Sequence, residues 1–308
     1  GFTATQIAGL GASQLGGFTS TGIAALSTTQ VAALTADQIP LFSTTQLKGF
    51  TASSVGALAV DRLAALTTTQ IAAFSAAQVK GFGADAISAL SDEQMAVLSV
   101  TQIGSLTTTA IGALEPAQIN ALSSTQLAGL AATQLRVFDE TQIASVSTTQ
   151  IAALSTTQLR GFSTTGIGLL SLDQIAALSA TQVAGFASTQ AAGLSTTQIS
   201  ALSLEQFEAM SSTMIGGLTT TQIGALSIFQ IADLSPTQMK GLSSTAIAVL
   251  SAEQIGVLSG AQMAAFSATQ LGSLSSTQAS LLSPEQLGAL SATQIGGFFD
   301  IQLRRGHN

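Results

Sequence analysis

The chain has no cysteine, no tryptophan and no tyrosine, four prolines, and a single histidine, His307. Without cysteine there are no disulfides, no thiolate metal sites and no cysteine nucleophile. One histidine in a terminal tail leaves no multi-histidine metal site and no base for a serine nucleophile. Charge is scarce as well. Only 7% of the 308 residues are charged, with eight Lys and Arg against 15 Asp and Glu, a net charge of −7 and a pI near 4.4. No basic stripe is present, so nucleic acid is not an expected partner. Long apolar runs are missing too. The hydrophobic fraction is 46% and the mean hydropathy +0.50. Ser, Thr and Gln still interrupt every stretch well short of the ~20 residues of a spanning helix, so no membrane insertion is expected. The apolar content reads as core. No signal-like segment opens the chain. Gly1-Phe2 reads as the tail of a preceding repeat, and the expectation is a piece of a longer protein or a mature fragment.

What the chain has in abundance is one pattern. Counted in eights from Thr3, it forms 38 octads, from 3–10 to 299–306, with no insertion or deletion, followed by the 307–308 tail. Octad 147–154, Ser-Thr-Thr-Gln-Ile-Ala-Ala-Leu, is representative. Position 1 is Ser or Thr in 30 of 38 octads, and position 4 is Gln in 30 of 38. Position 5 is a large apolar residue except at Ala191 and Ala279. Position 8 is Leu, Phe, Met or Val except at Gly306. Positions 6 and 7 are mostly Ala or Gly.

Ser/Thr-x-x-Gln before an apolar residue is the capping-box signature of a helix start. Each octad therefore announces a helix. The prolines agree: Pro116, Pro236 and Pro284 all fall at position 2, the first helical site, where a missing N–H is harmless. Pro40 falls at position 6, where it should break or distort a turn. Charge placement is independent support. Thirteen of the 15 acids lie at positions 1–3, Glu208 and Asp233 being the exceptions, and six of the eight bases lie at position 6. That polarity complements the helix dipole.

A continuous helix would rotate its apolar stripe by ~80° per octad and hold no face. A coiled coil needs a repeat near 3.5 residues. In a β-solenoid, the alternative suggested by the short period and high Ser/Thr content, positions 5 and 8 would face opposite ways. Helical spacing puts them on one face. One octad alone is too short to be stable. The expected fold is therefore all-α: one solenoid over residues 1–308, built of very short helices, one per octad. Four position-8 phenylalanine pairs lie three octads apart (Phe18/Phe42, Phe50/Phe74, Phe138/Phe162 and Phe162/Phe186), and Asp37, Asp61 and Asp85 share that spacing. Two or three octads per superhelical turn are the simple options, and the spacing points to three. With layers ~8–10 Å apart that gives a rod of roughly 100–130 Å. The expected interior is layered Ile, Leu and Phe. The expected exterior is a carpet of Ser, Thr and Gln.

No catalytic, cofactor-binding or metal-binding residue emerges. The acid pairs Asp92-Glu93 and Asp139-Glu140 read as helix N-terminal charge rather than a carboxylate dyad. Glycines sit at packing positions, not in a phosphate loop. Ile228-Phe229 puts two large apolar groups on a normally polar face.

The unit resembles octapeptide repeats in very large secreted proteobacterial proteins, often labelled adhesion or heme-utilisation proteins. The resemblance covers nearly the whole chain, as in 147–162, Ser-Thr-Thr-Gln-Ile-Ala-Ala-Leu-Ser-Thr-Thr-Gln-Leu-Arg-Gly-Phe. It implies a cell-surface or extracellular location. The expected role is structural and non-enzymatic, with no cofactor: a stalk or fibre segment able to self-associate end to end or laterally. The alternative is an adhesive module using the Ser/Thr/Gln surface for glycan, mineral or ice.

Overall fold

The structure is a computed structural model that describes residues 1–305, with side chains through residue 298. The His307-Asn308 tail lies outside the described residues. Among the described residues every regular element is helical and there is no strand. The chain divides into two compact units, Gly1–Phe162 and Ser163–Asn308.

Each octad folds as its sequence dictates. In octad 147–154 the helix is Thr148–Ala153. Ser147 is the N-cap, in an extended conformation at φ −69°, ψ 159°. Its hydroxyl accepts from the Gln150 N–H at 3.2 Å, and its own N–H donates to Gln150 Oε1 at 2.8 Å. Both halves of the capping box are therefore made. The helix ends when the Leu154 N–H donates to the Ile151 carbonyl at 3.1 Å and Leu154 turns extended at ψ 137°. Two extended residues, positions 8 and 1, make the corner to the next helix. No described residue has a positive φ, so these corners need no left-handed glycine. The helices Pro116–Ala121, Pro236–Gly241 and Pro284–Gly288 each begin on their proline.

Two places break the rule. At Pro40 the α-helix is lost and a 3-10 turn, Ile39–Leu41, replaces it, as a proline beyond the first helical turn requires. At the other end Ala292–Arg305 runs as one 14-residue helix through the expected corner at Phe299. The expected helix start at position 1 of octad 299–306 is absent there, although helices elsewhere start after Ala59 and Ala131, which also lack a cap oxygen.

The turn contains three octads. In the first unit, Ala4–Ala8 packs on Thr28–Ala32, which packs on Ala52–Gly56, then Ala76–Val79, Val100–Ser105, Ser124–Leu127 and Thr148–Ala153. In the second, Thr164–Gly168 is followed by Ser188–Gly193, Ser212–Gly217, Pro236–Gly241 and Gly260–Ala265. Each step advances the chain by three octads. Positions 5 and 8 fill the core. Ile71, Ile103, Ile151 and Ile199 are fully buried, and Phe82 is 1% exposed.

Ring contacts form both across a turn and around a corner. Phe138 and Phe162 do meet across a turn, at 6.3 Å between centroids. Phe42 meets Phe50, and Phe74 meets Phe82, each pair one octad apart around a corner and edge to face. Position-8 side chains from adjacent octads converge on the axis, so a neighbour within the turn is as near as one above.

Small residues set the layer spacing. A Cβ on Gly104 would stand 2.8 Å from the Gly129 carbonyl oxygen in the next layer, closer than real contacts allow. The pairs Gly168/Gly193 and Gly216/Gly241 repeat this close approach, and Gly56/Gly81 is nearly as tight at 3.1 Å. Glycine is needed there for space, not for backbone freedom.

Candidate functional site

Glutamine at position 4 is the most worked side chain in the structure. The expectation that Gln carpets the exterior is wrong: Gln142 is 1% exposed and Gln150 2% exposed. While Gln150 Oε1 caps its own helix, Nε2 donates to the Ile119 carbonyl at 2.9 Å and the Leu122 carbonyl at 2.7 Å. These carbonyls close a helix four octads earlier: Ile119 also accepts from the Leu122 N–H, and Leu122 is the C-cap. Gln118 does the same to Ile87 and Leu90, Gln206 to Ile175 and Leu178, and Gln286 to Ile255 and Leu258. One amide thus closes a helix start in its own layer and a helix end in the layer before. Burying an amide is costly unless its groups are paired, and no buried side-chain polar atom among the described residues lacks a partner.

The bridge survives local damage. Gln38, in the octad that Pro40 disrupts, still donates to Ile7, Ala8 and Leu10. Arg62, in place of Gln, donates through Nε to the Leu34 carbonyl, at the same sequence offset as Gln150 to Leu122. Arginine has no acceptor, so the Ala59 N–H of that octad receives no side-chain cap.

The remaining candidates are surface features. Asp139 is an N-cap, accepting from the Gln142 N–H and the Thr141 hydroxyl, both at 2.8 Å. These bonds hold its carboxyl below the ordinary aspartate range. Glu93 is lowered too, chiefly by the Ser91 hydroxyl and then by its own backbone N–H. A general-acid dyad needs one carboxyl raised. Here the resolved shifts run the other way, as helix-start chemistry dictates. Among the described residues no group of three His, Cys, Asp or Glu could hold a metal ion. All five methionines (Met95, Met210, Met214, Met239 and Met263) are buried in the core. No described helix is long and apolar enough to cross a membrane. A groove of about 530 Å³ lies open to solvent beside Lys240, Ser243, Ser244 and Phe266.

Two surface patterns stand out against this background. In the second unit Thr165, Thr189, Thr213 and Thr237 are exposed at position 3 of four consecutive layers, one per turn. Ile228 and Phe229, singled out by sequence, are 38% and 75% exposed, and Leu204, one turn earlier, is 52% exposed.

The ALTTAQ repeat family model matches residues 7–44, 93–124, 111–148, 147–180 and 230–268, together more than half of the chain. The chain reads Ala-Leu-Ser-Thr-Thr-Gln at 153–158, spanning a corner and the next cap. No curated protein matches it.

Proposed function

The chain belongs to the ALTTAQ repeat family, and from that premise we propose that it is a stalk or fibre-forming segment of a bacterial surface or extracellular protein, with no enzymatic activity. A structural repeat role follows from tandem short-helix repeats that stack layer on layer. The observation that carries the fuller reading is the glutamine bridge. Within each unit, layers are bonded by buried amides as well as by core packing, so the repeating contact suits extension and load. Gln6 and Gln14 lie exposed on the first turn. Any turn stacked on that face, of the same or another chain, offers them the carbonyls that Gln150 finds at Ile119 and Leu122. That complementarity supports self-association, end to end or laterally. The resemblance of the octads to those of secreted proteobacterial proteins supports the location. Electron microscopy over a concentration series tests the reading. Fibres that lengthen with concentration are expected, and single particles of constant length at every concentration would contradict it.

The threonine row at Thr165, Thr189, Thr213 and Thr237 favours a second reading, an adhesive face for glycan, mineral or ice. Replacing all four by Ala should abolish a glycan-array or thermal-hysteresis signal. A signal that survives the replacement, or none in the parent chain, removes this reading.

A further inference from the structure

The octad pattern has two kinds of exception, and in the second unit they coincide. Glu208 and Asp233 are the only acids outside positions 1–3. Ile228-Phe229 is the one place where large apolar residues fill both positions 2 and 3 of an octad with an intact Ser cap and Gln. Octads 203–210, 227–234 and 251–258 stand on consecutive layers, since Leu204–Glu208 packs on Ile228–Asp233, which packs on Ala252–Gly256. Their outer face carries Leu204, Ile228 and Phe229, all exposed. It also carries Glu205, Glu208 and Asp233, likewise exposed, and these three octads hold no Lys or Arg. Single exposed apolar residues are ordinary. Three on adjacent layers, with acids on the same octads and no base, form a surface of defined chemistry.

That chemistry asks for an apolar segment bordered by positive charge. In this acidic sequence only one stretch has adjacent bases: Phe299-Asp300-Ile301-Gln302-Leu303-Arg304-Arg305. It joins three large apolar residues to two arginines. It also lies in the one helix that runs on through a corner, Ala292–Arg305. We propose that the ridge Leu204–Ile228–Phe229 is a docking surface for a second copy of this chain, which binds through its residues 299–305. The contact is heterologous: ridge and segment are different parts of the molecule, so it propagates from copy to copy and does not close a symmetric dimer on itself. It rests on the self-association reading and gives it a lateral site, distinct from turn-on-turn stacking.

The test uses the full chain in sedimentation velocity, with the variant Ile228→Thr/Phe229→Thr. This variant gives octad 227–234 the same opening four residues as octad 147–154, so the fold should be kept and far-UV circular dichroism unchanged. The parent chain is expected to associate with rising concentration, and the variant to weaken that association by at least about tenfold. Arg304→Glu/Arg305→Glu should weaken it similarly, and added salt should weaken the parent. If the parent associates and both variants match it, the docking site is overturned while self-association stands. If the parent stays monomeric at millimolar concentration, both fall.

Discussion

At the scale of the residue, glutamine decides the structure. Its two functional ends serve two layers, which explains why Ala, Gly or Met at position 4 (Ala110, Gly166, Met214) is tolerated only now and then. Gln150→Ala leaves the Ser147 N–H and the Leu122 carbonyl without their partners. We expect a loss of roughly 2–4 kcal/mol, read from urea unfolding. Gln150→Arg should lose less, because Arg62 shows that the donor half of the bridge can be kept. Equal losses for the two variants would mean that the interlayer donation matters little. Glycine gives a second contrast. A Cβ on Gly81 would lie 3.0 Å from the Ala52 carbonyl carbon, whereas one on Gly224 meets nothing within 4 Å. Gly81→Ala should therefore destabilise the chain. Gly224→Ala, inside the helix Thr220–Gly224, should stabilise it by about 0.5–1 kcal/mol. Half of the glutamine's role was legible in the sequence. Ser147 to Gln150 is a local pair whose spacing identifies the cap. The donation to Ile119 and Leu122, in the layer before, was not legible, because it depends on which helix end lies beside which start once the coil closes.

At the scale of the element, the octad is a complete helix with its own start and stop. Caps, prolines at the first helical site and acids at positions 1–3 were all readable, since each acts within one octad. The failure at Phe299 belongs to the same scale. There the count in eights continued, but the chain made no new helix start. Asp139 lets the cap be titrated. Its folded pKa is depressed, so the stability it adds is present above the unfolded aspartate value and is lost as pH falls through the folded one. Compared with Asp139→Ser, which keeps a cap oxygen but no charge, the parent should lose more stability between about pH 5 and about pH 2. Parallel losses in thermal melts across that range would show that the carboxylate contributes nothing beyond an oxygen.

At the scale of the molecule, the claim is a turn of three octads in each unit, bonded layer to layer. The count was reached from sequence through phenylalanine spacing, and Phe138 and Phe162 do meet three octads apart, while other first-unit rings meet around a corner. The physical basis is the packing of each octad on the one three places along, with glycine pairs such as Gly104/Gly129 fixing the approach. Spin labels measure it directly, and a chain without cysteine offers no background. Thr125, Thr133, Thr149 and Thr157 are exposed at position 3 of octads 123–130, 131–138, 147–154 and 155–162. Cysteines introduced in pairs at 125/149, 133/149 and 149/157 sample separations of three octads, two octads and one. Dipolar broadening should be strongest for 125/149, at a layer spacing of ~8–10 Å plus the label arms. Strongest broadening for 133/149 would mean a turn of two octads and would contradict the account.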